Sequence, residues 1–231
     1  MKSFMKVSPL RLLDMSVEKK LGPGNLGVLI ARAGVGKTAC LVHIAFDRIF
    51  SGESLVHVSV EETPDKVASY YNVIFYDMIK ILELENEEDL RLMVERNRMI
   101  LSYVKGSFSV DRLRRSLGNL KQNLSFAPQT IIIDGLDFEV TPREFFEELK
   151  GLSKEFSTET WLSALSHRHK LTKNEEGIPY PCSEIDDLFE VIIHMDPTTE
   201  GVYLKLLKDH GHTLGQHVSV RLDPNTFLVV S

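Results

Sequence analysis

The stretch "ARAGVGKT", residues 31–38, satisfies the pattern G-x-x-x-x-G-K-[ST] at every fixed position but the first. That pattern suits a polyphosphate. Gly34 and Gly36 allow a tight curl that turns backbone N–H groups inward, Lys37 reaches the β and γ phosphates, and Thr38 offers a hydroxyl to Mg²⁺. The expected contact set runs through Ala31, Arg32, Ala33, Gly34, Val35, Gly36, Lys37, Thr38 and Ala39. The setting agrees: "LGVLIA" (26–31) reads as a buried strand, and "KTACLVHIAFDRIF" (37–50) continues with helical period. Ala31 stands where glycine is usual. A methyl group fits there if the backbone keeps ordinary angles.

Working outward, the 231 residues are 43% hydrophobic and 26% charged, enough to bury one sizeable core in a single domain, 1–231. A formal charge of -6 argues against a surface built throughout for nucleic acid, which needs clustered Lys and Arg. The two cysteines, Cys40 and Cys182, form no C-x-x-C and no zinc spacing, so neither a disulfide scaffold nor a zinc module is expected. His210, His212 and His217 lack the acids or cysteines that would make them a metal cluster. Charges interrupt the apolar residues of "MKSFMKVSPLRLLDMS", and no stretch approaches the ~20 apolar residues of a membrane span. The expectation is a soluble, cytoplasmic protein with no membrane association.

Short apolar runs alternate with segments of helical period: "LGVLIA", "LVHVSV" (55–60), "TIIID" (130–134), "TWLSALS" (160–166) and "LFEVIIH" (188–194). This predicts an α/β fold with a mainly parallel central sheet flanked by helices. From Gly201 onward the runs are separated only by turn residues, which predicts antiparallel strands at the C-terminal edge. Thr63-Pro64-Asp65 spells a helix start, and Thr141-Pro142-Arg143-Glu144 reads as a second one with a capping box. Between them, residues 72–126 form a helical segment of unassigned role. Leu90, Met93, Val94, Leu101 and Val104 fall on one helical face, and Val110, Leu113, Leu117, Leu120 and Leu124 on another. The basic side of that second helix, Arg112, Arg114, Arg115 and Lys121, reads first as a solvated face, with nucleic acid or an acidic partner as the alternative.

A magnesium-nucleotide site also needs an acid, and Asp134 supplies one at the end of an apolar strand. Hydrolysis needs a base for water, and Glu61 and Glu62 end the run "LVHVSV", expected beside the loop strand. Taken alone, such a pair equally suits two surface acids before a helix. Ser166 or His167, after the run at 160–166, is placed to sense the γ phosphate or to be a plain polar strand end.

A strand ending in Glu-Glu-Thr-Pro beyond such a loop resembles the KaiC-like ATPases of the RecA-like P-loop superfamily, in which phosphate loops beginning with alanine also occur. The resemblance implies a RecA-like fold, ATP and Mg²⁺ as cofactors, and catalytic roles for Glu61 and Glu62, with Thr38 and Asp134 serving the magnesium. It also implies a homo-oligomer, a hexameric ring among its forms, with ATP at subunit interfaces. Lys208-Asp209-His210-Gly211 parallels the family's Lys-x-Arg-Gly, whose cations reach the neighbouring subunit's nucleotide. Lys208 is retained in that role, while His210 replaces arginine with a shorter, partly charged group. Three readings stay open at this point: an ATPase, a nucleotide-dependent binding module with negligible turnover and its own protein partner, and a RecA-like DNA-handling protein.

Overall fold

The computed structural model of the chain describes residues 2–15, 20–166 and 172–230. After a short helix α1 (Lys2–Met5), the elements run β1 (Leu26–Ala31), α2 (Lys37–Phe50), β2 (Leu55–Ser59), α3 (Pro64–Ile81), α4 (Glu87–Asn97) and β3 (Arg98–Ser102). They continue with α5 (Val110–Leu124), β4 (Thr130–Asp134), α6 (Arg143–Phe156), β5 (Glu159–Leu165), β6 (Val191–Thr198), β7 (Gly201–Asp209), β8 (His212–Leu222) and β9 (Val229–Val230).

All of these strands join one sheet in the order β3-β2-β4-β5-β1-β6-β7-β8-β9. From β3 to β6 every pairing is parallel, and from β6 to β9 every pairing is antiparallel. Every residue of β1 is buried, because parallel strands carry helices on both faces. Alternation along the strands feeds two cores. Ile132 on β4 joins the one that includes Phe46 of α2 and Tyr71 of α3, while Ile131 and Ile133 join the one under α5 and α6. No helix among the described residues is long and apolar enough to cross a membrane.

Three local expectations are corrected. First, the face drawn through Leu90, Met93, Val94, Leu101 and Val104 is not one helix. Helix α4 stops at Asn97, Arg98–Ser102 is an edge strand in parallel register with β2, and Val104 lies beyond it, 80% exposed. The run "RMILS" is too short for its period to separate helix from strand, and the open edge of β2 decides. Second, Thr141 caps no helix: α6 starts at Arg143 with Pro142 at the N-cap, and the Thr141 hydroxyl donates to the Asp137 carbonyl at 2.6 Å. By contrast, Thr63 does cap α3, its Oγ1 accepting from the Lys66 N–H at 3.4 Å, with Pro64 in the first turn.

Third, β2 does not lie beside β1, because β5 and β4 stand between them. The crossover through α2 therefore skips two strand positions. Parallel strands that skip in this way splay their carboxyl ends around a crevice, which is where open α/β sheets hold ligands.

Candidate nucleotide site

Ala31 is the last residue of β1, fully buried in the core, and its φ is not among the left-handed ones. Its methyl group thus packs where a glycine would have left a gap. The conformational freedom is needed later, at Gly34 (φ 75°) and Gly36 (φ 103°), which curl the chain into the N-terminus of α2. The base of the loop is anchored from the sheet: the Ala31 carbonyl accepts from the Ser166 N–H at 3.0 Å and from Lys37 Nζ at 3.5 Å.

The loop opens on a cleft of about 640 Å³ at the carboxyl ends of β1, β4 and β2. Lys37, Thr38, Asp134, Glu61 and Glu62 all line it, so the strand skip brings together residues from separate sequence motifs. Thr38 Oγ1 donates to Asp134 Oδ2 at 2.6 Å, and Ser163 Oγ on β5 donates to Asp134 Oδ1 at 2.5 Å. Burial lowers the pKa of Lys37, while the carboxylates of Asp134 and Glu61 work to hold its proton.

Five carboxylates line the cleft, from Glu61, Glu62, Asp134, Asp137 and Glu139, against one lysine cation, Lys37, among the described residues. Such a cleft repels a bare polyphosphate and accepts one accompanied by a divalent cation. The donor set suits that cation: a hydroxyl and a carboxylate in contact are hard oxygen ligands of the kind magnesium takes. Thr38 and Asp134 are the residues that would hold it.

Both glutamates that follow β2 are exposed to solvent, so water can reach them. Glu62 is pinned through its backbone: its N–H donates to Ser59 Oγ at 2.9 Å, and its carbonyl accepts from Ser102 Oγ at 2.9 Å. Glu61 lies across Gly135, where an added Cβ would sit 2.8 Å from Glu61 Cγ.

Sequence reasoning missed Ser59, Ser102, Ser163 and Gly135. Only alternation along β5, which turns Ser163 to the Asp134 side, could have signalled one of them. Of the two residues expected to sense the γ phosphate, Ser166 contributes its backbone N–H to the base of the loop, and His167 lies outside the described residues.

Lys208 and His210 do not line the cleft of their own chain. Lys208 is 8% exposed and donates from Nζ to the Asp186 carbonyl at 2.7 Å. His210, at φ 45°, pairs Nδ1 with Asp209 at 2.7 Å and Nε2 with the Leu21 carbonyl at 3.1 Å. Arg114, at the centre of the basic face of α5, is committed to Asp111 at 2.6 Å and Glu155 at 3.0 Å.

No family model matches the chain. It is similar to a DnaB-like replicative helicase of Enterobacteria phage T4, 26% identical over 179 residues. That similarity covers 67% of this chain and 38% of the relative, so the chain spans well under half of the relative's length. Among solved structures it resembles the ATPase domain of a DnaB-like helicase, with a TM-score of 0.68 at 15% identity over 96% of this chain and 89% of that one. A mostly parallel sheet with an antiparallel C-terminal edge, superposing on that domain along almost its whole length, is the architecture of a RecA-like ATPase domain.

Proposed function

We propose that this chain is an ATP-binding, magnesium-dependent ATPase of the RecA-like kind, allied to the KaiC-like and replicative-helicase branches and acting as a homo-oligomer. The observation that carries the reading is the single cleft shared by Lys37, Thr38, Asp134, Glu61 and Glu62. Inward N–H groups of residues 33–38 and the Lys37 ammonium hold the phosphates. Magnesium, when bound with the nucleotide, offsets charge on the phosphate oxygens. Glu61 takes the proton of a water that attacks the γ phosphorus as its bond to the ADP oxygen breaks, and Glu62, fixed by Ser59 and Ser102, orients that water.

The test is phosphate release by wild type, Glu61→Gln and Glu62→Gln, alongside ATP binding. Loss of the base should slow release by at least about 100-fold while binding persists. Rates indistinguishable from buffer in all three proteins, with ATP bound, would remove the hydrolase.

A second reading is a nucleotide switch with negligible turnover, favoured by Lys208 and His210 having partners inside their own chain. In the oligomeric ATPase these groups swing to the neighbour's γ phosphate; in the switch they stay. Mass measured with and without ATP, combined with phosphate release, separates the two. The similarity to a helicase adds a nucleic-acid partner as a third reading, tested by single-stranded DNA titration at low and high salt.

A further inference from the structure

The described C-terminal turn, Asp223–Leu228, returns from the far edge of the sheet to the start of α2. It is closed by its own hydrogen bonds: Asp223 Oδ1 accepts from the Asn225 and Thr226 N–H groups at 3.0 and 2.9 Å, and the Asp223 carbonyl accepts from the Phe227 N–H at 2.9 Å. It is also fastened to α2, since the Thr226 carbonyl accepts from His43 Nε2 at 2.7 Å. Within it Phe227 holds φ 56°, a left-handed angle that a bulky residue adopts only when its surroundings enforce it. The outcome of that strain is the placement of one ring. A Cβ built on Gly36 would lie 2.0 Å from Phe227 Cζ and 2.2 Å from Cε1, so the ring rests directly on the second hinge of the phosphate loop. Phe227 is absent from the lining of the phosphate cleft and instead lines the adjoining groove with Ala39 and His43. It therefore presses on the loop from outside.

We propose that Phe227 is a positioning residue that braces the phosphate loop, holding Gly36 in its left-handed curl so that the N–H groups of residues 33–38 already face inward before a ligand arrives. Gly36 supplies the freedom to curl, and the ring removes the freedom to uncurl. The link to function rests on the ATPase reading, since a preorganised loop binds phosphate without first being ordered.

The experiment compares wild type with Phe227→Gly and Phe227→Leu as full chains. Phe227→Gly removes the ring and relieves the backbone strain together, so a purely structural ring and a brace predict opposite results. In nucleotide-free protein, amide hydrogen exchange of residues 32–40 should accelerate at least about tenfold in Phe227→Gly, while residues 130–134 of β4 exchange as in wild type. MgATP should bind about tenfold more weakly in the same variant. Phe227→Leu, which keeps apolar bulk against the loop, should fall between. Unchanged exchange over residues 32–40, or an equal rise across the whole sheet in both variants, overturns the brace. Wild type that fails to bind MgATP removes the ATPase reading alone, because the exchange measurement needs no nucleotide.

Discussion

Glu61 can serve as a base only while its carboxylate faces the phosphate end of the cleft, and the missing side chain of Gly135 keeps that path open. Gly135→Ala would add a Cβ 2.8 Å from Glu61 Cγ, on a backbone with φ 84°. The left-handed angle costs a non-glycine residue about 1–2 kcal/mol, and the crowding displaces the glutamate. Phosphate release should fall by about 10–100-fold, because displacements of ångström size at a reacting centre cost that much. ATP affinity, measured in parallel, should move far less, since Gly135 sits opposite the loop's phosphate-holding groups. An unchanged rate would detach Glu61 from the reaction. Thr38 is argued differently, as a magnesium ligand that also satisfies Asp134. Thr38→Ala should raise the magnesium concentration needed for half-maximal ATP binding about tenfold. A magnesium titration at fixed ATP measures it, and an unshifted midpoint would show that Thr38 does not hold the metal.

At the scale of elements, two threonines that look alike in the sequence behave differently. Thr63 caps α3, so Thr63→Ala should cost about 1 kcal/mol in denaturant unfolding. Thr141 bonds a loop carbonyl and caps nothing, so Thr141→Ala should cost α6 nothing beyond that one loop bond. Equal losses would mean that the observed caps carry no weight. Such pairs show which parts of the molecule the sequence makes legible. The loop, the Asp134 strand end and the Glu-Glu-Thr-Pro turn could be read because each is local, its chemistry and its backbone demands lying within a few residues. Edge strand β3 could not, since "RMILS" takes its conformation from the free edge of β2, across the gap left by α3 and α4. The seat of β2 beyond β5 and β4 is equally non-local, and so is Ser163, whose role exists only because β5 pairs with β4. Phe227 is the extreme case: its target is Gly36, and nothing in "DPNTF" announces that contact.

For the molecule as a whole, the same contact ties the end of the chain to its first crossover. His43 is fully enclosed, its Nε2–H donating to the Thr226 carbonyl, and burial pushes its pKa from 6.5 down to about 4 despite that bond. The folded state thus keeps His43 neutral where the unfolded chain would protonate it. Between pH 6.5 and 4 the unfolded state binds more protons, so this histidine's contribution is complete above pH 6.5 and is lost progressively as pH falls toward 4. By pH 5 the loss should reach about 2 kcal/mol. Buried His57 on β2 is likewise pushed to about 4, and its loss adds over the same range. His43→Gln keeps a donor for the Thr226 carbonyl and cannot titrate, so urea unfolding at pH 7, 6 and 5 should fall less steeply in the variant by His43's share. Parallel slopes would place the acid sensitivity elsewhere. The expected difference has a structural consequence that exchange can locate: protonating His43 loosens the turn that carries Phe227 before it loosens the sheet. Acid should therefore free the phosphate loop at a pH where β4 remains protected.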